Sequence, residues 1–510
     1  MTKLKNIFDH IKLNKIKTYL VGKKILIIDR QTIFSVMKNY SAIKILENKN
    51  KFDVSILTDL KNISNILEFY KHLGFKKFTN SFKIGYLITF PFISIKIIFH
   101  LLNYFKYLLN NNFEKFINSY EVSGIIVGDI IYDRYIRNDY SFLKPSFFEI
   151  KLIKIFLYTV FKVYWIENYL KKKNINLIII NTHVYSNNYS IGFKLSKKLK
   201  INLLYLKDFQ ITYFKKGAIS KTNDPRAITR KKLKNVKFSN KEKNSLNRYM
   251  KKRTSGKLSH FDVKNAFGSK KNQINEFLIR KNVNLKSYSK IILLASHSLS
   301  DANHYHFEIG SRSPFKDYFS QIKETLDFAK NNKNLLFLVR PHPSSSFWKE
   351  EGLIEKILVQ YKSKNIILLD NKINTDDAIR ISNTVITVYG TIGLETASYY
   401  KKKPILAGRS IYSNLGFTLD SSTKDEYFKN ILLNKEKFQL NKVEQRFADK
   451  ALYYHFLKFN SEYDSVIANR DRNISEKKYF DDLSKYLNIN SIIKDKYFQN
   501  LHSIIKKIKI

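Results

Sequence analysis

TVITVYGTIGLETASYYKKKPILAG, residues 384–408, reads as strand, glycine turn, helix and second strand. Thr384–Val388 is an unbroken apolar and β-branched run, as expected of a strand covered on both faces. Gly390 and Gly393 bracket the turn, IGLETASYY has helical spacing, and Lys403-Pro404 opens the next apolar run. Two strands joined through a helix belong to a parallel sheet with helices packed on it.

The same alternation continues towards the N-terminus. KIILLASHS (290–298), LLFLVR (335–340) and NIILLD (365–370) are short apolar runs separated by helical stretches, and Asn374 with Asp377 marks one helix start. Residues 286–440 are therefore expected to form a doubly wound, Rossmann-like domain. A second alternating series occupies residues 1–218, with apolar runs at KKILIIDR (23–30), FDVSILTD (52–59), GIIVGD (124–129), INLIIIN (175–181) and INLLYL (201–206). It reads as another α/β domain with a mainly parallel sheet. Residues 219–285 open with a polar, strongly basic stretch that has no sustained apolar period, expected as a linker or helical insertion. Residues 441–510 read as amphipathic helices packing back on the lobes.

The chain has 510 residues, too many for one ordinary core. Lys+Arg number 91 against 43 Asp+Glu, a formal charge of +48. Lys, Asn, Ile, Tyr and Phe are all abundant and the lysines are scattered along the chain, so a coding bias towards these residues accounts for most of the excess. A concentrated, aromatic-interleaved basic stripe of the kind that holds nucleic acid is missing, and no specific nucleic-acid partner is expected. Attraction to anionic headgroups or anionic substrates follows from the same charge. Cysteine is absent, which excludes disulfides, thiolate metal sites and cysteine nucleophiles. The N-terminus lacks the apolar core of a signal peptide. The most apolar segment, residues 86–109, is interrupted by Pro91, Lys96, His100 and Lys106. It reads as a buried or membrane-facing helix rather than a span. The expected location is the cytoplasm, with contact at the inner face of the membrane.

Open α/β sheets bind ligands at the carboxyl ends of their strands. In 286–440 those ends carry Ser296 and His297, then Arg340, His342, Pro343 and Ser344, then Gly390, Thr391, Ile392, Gly393 and Glu395, and finally Arg409. The turn before IGLE offers helix N–H groups and a positive dipole end, which suit a phosphate. Pro341 and Pro343 hold Arg340 and His342 in extended geometry. Arg340 is expected to pair with phosphate and His342 to donate to it. Glu395 is out of capping-box register with Thr391, and is expected to serve another group such as a ribose hydroxyl.

LVRPHPSSSFW followed by VYGTIGLETASYYKKKPILAGRSIYSNLGFT resembles the bacterial capsule polysaccharide biosynthesis family, which includes Kdo transferases. The order is similar: an Arg-x-His-Pro turn, a small-residue turn ending in Glu, a Lys-Pro strand, and Tyr-x-x-x-Gly-Phe-Thr. The likeness covers about residues 290–430. It implies a GT-B-like fold, two Rossmann-like domains facing a cleft, with Arg340, His342, Pro343, Gly390, Thr391, Gly393 and Glu395 on the donor nucleotide. It further implies a metal-independent glycosyltransferase with no cofactor beyond its nucleotide-sugar donor. The enzyme would transfer sugar, a CMP-linked one among the options, to a glycan or lipid-linked acceptor of surface polysaccharide. In such an enzyme the leaving nucleotide's charge is offset by fixed donors and cations, and a base serves the acceptor hydroxyl. Candidate bases in the first half are Asp129, Asp133 and His183. Rival readings are a sugar-nucleotide epimerase of the same fold and a non-catalytic basic binding protein.

Overall fold

Two unbroken apolar runs, Lys24–Ile28 and Lys290–Ala295, become the central strands of two separate sheets. The structure is a computed structural model that describes residues 23–28, 33–47, 52–57, 64–79, 90–137, 143–181, 187–207, 210–218, 227–258, 261–301, 313–458, 465, 467 and 489–507. The chain divides into two units. The first comprises Met1–Arg134, Ser146–Pro225 and Asn460–Ile510; the second comprises Tyr135–Pro145 and Arg226–Phe459.

In the first unit the strands are β1 (Lys24–Ile28), β2 (Asp53–Leu57), β3 (Lys77–Thr79), a small hairpin β4 (Glu121–Val122) and β5 (Ile125–Ile126), then β6 (Ile175–Ile180), β7 (Asn202–Lys207) and β8 (Gln210–Phe214). The main sheet runs β3-β2-β1-β6-β7-β8; all neighbours are parallel except the β7–β8 pair. The order steps outward from β1 to one side and then reverses to the other, the arrangement of a Rossmann-like sheet. β1 and β6 are almost wholly buried because helices cover both faces. The last helix of the chain, Lys496–Lys507, packs on helix Ile33–Glu47 and on β8.

GIIVGD, expected as a sheet strand ending at Asp129, takes a different form. Val122 and Ile125 pair across the tight β4–β5 hairpin, whose turn residues Ser123 and Gly124 both have positive φ. The chain then enters helix Gly128–Ile136. Gly128 is required there, since a Cβ would lie 2.0 Å from the Phe116 carbonyl oxygen. Apolar residues at 125, 126, 127, 130 and 131 satisfy a short strand and a short helix equally well, so periodicity could not choose.

The second unit holds β9 (Lys290–Ala295), β10 (Leu335–Arg340), β11 (Ile366–Leu368), β12 (Thr384–Thr387), β13 (Ile405–Leu406) and β14 (Leu419–Asp420). Their order is β11-β10-β9-β12-β13-β14, parallel throughout. The crossover therefore falls between β9 and β12. Every residue of β10 is buried. One core joins β9 and β10 to helices Ile274–Arg280 and Thr375–Ile381 through Leu293, Leu336, Leu338, Leu278 and Ile379. Another joins helices Thr391–Ser398 and Lys442–Tyr453 to the basic stretch expected as a linker or insertion. That stretch forms helix Asn240–Thr254, capped by a Ser239/Glu242 capping box, and buries Leu246, Met250 and Thr254 at four-residue intervals. The narrow stripe escapes notice because lysines and arginines surround it.

Both halves of the chain are thus Rossmann-like α/β units, as the GT-B-like reading expects. Among the described residues no helix is long and apolar enough to cross a membrane.

Candidate functional site at the ends of β9, β10 and β12

The ladder brings the expected tips side by side. Arg340 stands opposite Ala295, the Ser296 N–H donates to the Arg340 carbonyl at 3.0 Å, and Ile386 pairs with Leu294. Residues just past β9 thus lie between those past β10 and those past β12.

Two histidines meet at this edge. The His297 and His342 rings are 5.7 Å apart, and His297 also lies 4.4 Å from the Tyr318 ring. In each histidine Nδ1 accepts a backbone N–H, from Ser298 at 2.9 Å and from Ser344 at 3.1 Å. When neutral, both imidazoles are therefore held as Nε2–H donors. Burial lowers the pKa of His342, with Asp262 and Asp301 pulling the other way. Asp301 lies 3.9 Å from His297 Nε2 and accepts from Arg137 at 3.3 Å. The Arg137 guanidinium in turn covers the Trp348 ring at 5.0 Å.

The two prolines act on a braced turn. The Ser344 hydroxyl donates to Asp262, and Asn265 Nδ2 donates to the Pro343 carbonyl at 2.8 Å. Both partners come from helix Phe261–Phe267. Arg340 is 5 % exposed, and its guanidinium donates to the carbonyls of Asp370 at 2.7 Å and Asn265 at 3.5 Å. Burial pushes its pKa down to about 10, so it remains cationic at neutral pH. The group expected to meet phosphate directly is thus engaged in tying β10 to β11 and to that helix.

On the other side of β9, helix Thr391–Ser398 begins at Gly390, the N-cap, with no side-chain cap. Its first N–H groups and positive dipole end stand at the crossover. Gly393 is explained by packing: a Cβ there would lie 2.4 Å from the Tyr412 hydroxyl, which donates to the Gly390 carbonyl at 2.5 Å. Tyr412 is fully buried and its pKa is raised by burial. Ile392 packs on the core containing β9 and β10.

Glu395 is 1 % exposed and is not available to a ribose. Its Oε1 accepts from Arg253 Nη2 at 2.8 Å and Nε at 3.0 Å. Arg253 reaches it from helix Asn240–Thr254, approaches the Thr391 hydroxyl at 3.5 Å and lies 4.8 Å from the Phe456 ring. Burial opposes the Arg253 charge, but Glu395 and Tyr249 outweigh it and raise the pKa. A partner some 140 residues upstream left no local trace around Glu395. The capping-box spacing Ser239/Glu242 and the 246–250–254 stripe were the signals for the helix that carries it.

Glu350, also absent from the sequence reading, organises the loop after β9. Its carboxylate accepts from the N–H groups of Leu299 at 2.9 Å and Ser300 at 2.7 Å, and from the Ser300 hydroxyl at 2.6 Å. Burial raises its pKa against these bonds. Ser296 is 7 % exposed, and its hydroxyl has no hydrogen-bond partner among the described residues. Arg409 follows β13 and is exposed.

In the first unit Asp129 and Asp133 are one turn apart on helix Gly128–Ile136. Asp129 pairs with Lys194 at 2.5 Å and caps the Ile130 N–H at 2.8 Å, while Asp133 is 3 % exposed. His183 lies outside the described residues. Among the described residues no group of three or more His, Asp or Glu side chains is placed to hold a metal ion.

No protein-family profile matches the chain, and no curated protein matches it. Solved structures do match. The UDP-GlcNAc 2-epimerase of Methanocaldococcus jannaschii is 13 % identical, over 86 % of this chain and 99 % of that one, with a TM-score of 0.24. That of Neisseria meningitidis, bound to UDP-GlcNAc, is 11 % identical over 95 % and 98 %, with a TM-score of 0.20. A glycosyltransferase of Rickettsia africae is 10 % identical over 88 % and 100 %, with a TM-score of 0.26. Such low superposition carries no argument about activity.

Proposed function

We propose that this chain is a sugar-nucleotide enzyme whose second unit binds the donor's phosphates at the ends of β9 and β12. The observation that carries this reading is the juxtaposition at the crossover of the uncapped helix start at Gly390 with the buried Ser296 hydroxyl, which has no partner among the described residues. A buried hydroxyl without a partner forfeits hydrogen-bond energy unless a ligand supplies one. A helix N-terminus at a sheet crossover is suited to an anion.

The Nε2–H donors of His297 and His342 would face charge building on the leaving phosphate, and preorganised donors in a site of low polarity are effective there. Arg340 positions the turn that carries His342, and Arg409 supplies a second cation. The reaction we favour is glycosyl transfer to a glycan or lipid-linked acceptor of a surface polysaccharide, with Asp129, Asp133 or His183 as base. CMP-linked sugars belong in the donor panel because the order of motifs between residues 290 and 430 resembles the family that includes Kdo transferases.

A second reading, epimerisation of a nucleotide sugar, is favoured by the histidine pair itself. His297, His342, Asp262 and Asp301 gather proton-transferring groups within one unit, so no acceptor is needed.

The test is calorimetric titration with UDP, CMP and their sugars, then incubation of each binding donor with and without acceptor. Isomerised nucleotide sugar without acceptor selects the epimerase; release of nucleotide only with acceptor selects the transferase. Ser296→Ala should leave thermal unfolding unchanged and weaken nucleotide binding about tenfold, the scale of one hydrogen bond to a charged group. Unchanged affinity in this variant would remove the site assignment.

A further inference from the structure

Helix Phe90–Asn110 turns a continuous apolar face to solvent. Ile95, Ile98, Phe99, Leu102, Phe105 and Leu109 are each more than half exposed, Leu109 at 81 %. At about 100° per residue these six fall within an arc of roughly 120°. Phe148 and Ile150 are also exposed, at 70 % and 69 %, on the segment beside Phe147, whose ring packs against Tyr104 of the helix. Single exposed apolar residues need no explanation, but a contiguous set of this size marks an interaction surface.

The opposite face of the helix is fixed to the protein. Tyr104 donates to the Phe147 carbonyl at 2.7 Å and lies 4.5 Å from the Phe156 ring. His100 sits between the hydroxyls of Tyr120 and Tyr164, 2.9 Å from each. The helix is about 30 Å long at 1.5 Å per residue, yet among the described residues no helix is long and apolar enough to cross a bilayer. It can lie in the plane of one, with only its free face among the acyl chains.

Charge selects the occupant. Between Phe90 and Asn110 the sequence holds two lysines and no acid. Lys106 lies within the exposed arc towards the helix end, where an ammonium reaches headgroups while its stem stays apolar, whereas Lys96 lies about 60° outside the arc with its ammonium 4.6 Å from the Tyr164 ring. Lys115 and Lys154 are exposed on neighbouring segments of the same unit, and Glu114 is an exposed acid beside Lys115. A second copy on this face would bring like charges together, from chains of +48 each. An anionic headgroup layer complements them.

We propose that this face docks the protein onto a bilayer surface rich in anionic lipid. The proposal does not depend on the reading of the second unit. The test is co-sedimentation of the full chain with vesicles of equimolar phosphatidylglycerol and phosphatidylcholine, and with phosphatidylcholine alone, at about physiological salt. The wild type should partition onto the anionic vesicles. The charge-conserving double variant Phe99→Ser/Leu102→Ser should lose at least about tenfold of that partitioning, with an unchanged circular dichroism spectrum. A separate Phe105→Trp variant should shift its emission to the blue on anionic vesicles, which needs no loss of apolar surface. Three results would overturn the proposal: wild type left in the supernatant, the double variant bound as tightly as wild type, or a dimer by light scattering that the double variant dissolves.

Discussion

The second unit gathers polar side chains inward at the ends of β9, β10 and β12, where Arg253, Glu395, Arg340, Glu350 and His342 find partners away from water. The first unit does the reverse along helix Phe90–Asn110, where large apolar side chains stand in water. Yet the two sheets share one strand order and differ in sense only at the sixth strand. Strand order therefore fixes where a ligand edge lies, while the side chains placed at each surface decide what that surface meets. Buried polar groups are costly unless paired, and exposed apolar groups are costly unless covered. The ligand proposed for the second unit and the lipid surface proposed for the first are distinguished by these two costs.

The comparison can be broken most sharply at ion pairs. Arg253→Ala leaves Glu395 buried without its cation and should cost about 3–5 kcal/mol in urea unfolding. Lys198 in the first unit pairs with Glu167 at 2.6 Å but is 29 % exposed, and Lys171 also pairs with that carboxylate. Lys198→Ala should therefore cost only about 1 kcal/mol. Equal costs would show that the second unit's polar edge is no more tightly built than the first unit's surface. Glu395→Ala belongs to the same class, since it strands Arg253, and so it cannot serve as a clean test of ligand binding.

Next in size is Gly393→Ala, where the new methyl meets the Tyr412 hydroxyl and the strain should cost about 2 kcal/mol. Adding Tyr412→Phe should recover part of that loss, although Gly390 then loses a hydrogen bond. A double variant no better than Gly393→Ala would show that the tyrosine hydroxyl is not the obstacle.

His342→Ala should cut turnover at least about tenfold, equivalent to about 1.4 kcal/mol, while the urea midpoint of the first unit stays in place. Wild-type rates with a panel of CMP- and UDP-sugars would remove His342 from the site.

The smallest effect is common to both units and sharpens their likeness. Burial depresses His342 in the second and His100 in the first below the usual 6.5. Each unfolded chain then binds protons that the folded chain refuses. The stability these residues contribute is present above pH 6.5 and is lost as pH falls from there through the folded values. His342→Ala should flatten that decline for the second unit alone, as read from urea midpoints across acidic pH.

Much of the architecture was legible because strand formation here is local. KIILLA, LLFLVR and INLIII are short, unbroken and apolar, and a strand covered on both faces requires no more. Asn374 was legible as a helix start because a cap lies within a few residues of the N–H it serves; its side chain accepts from Asp376 at 2.9 Å. GIIVGD was misread because six residues cannot separate period two from period 3.6. The basic stretch, expected as a linker or helical insertion, did not show which face it buries because the buried stripe is one residue wide.

The chain by itself determined two Rossmann-like units, the residues at the carboxyl ends of the second unit's strands, and the turn LVRPHPSSS among them. Continuous apolar runs and fixed proline angles are properties of neighbouring residues. Only the tertiary structure decided that Arg340 binds carbonyls, that Glu395 belongs to Arg253, and that Gly393 makes room for Tyr412. It alone left the Ser296 hydroxyl without a partner among the described residues and the apolar face of helix Phe90–Asn110 exposed. Partners of charge and shape are chosen across more than a hundred residues by which surfaces pack, and no local pattern records that choice.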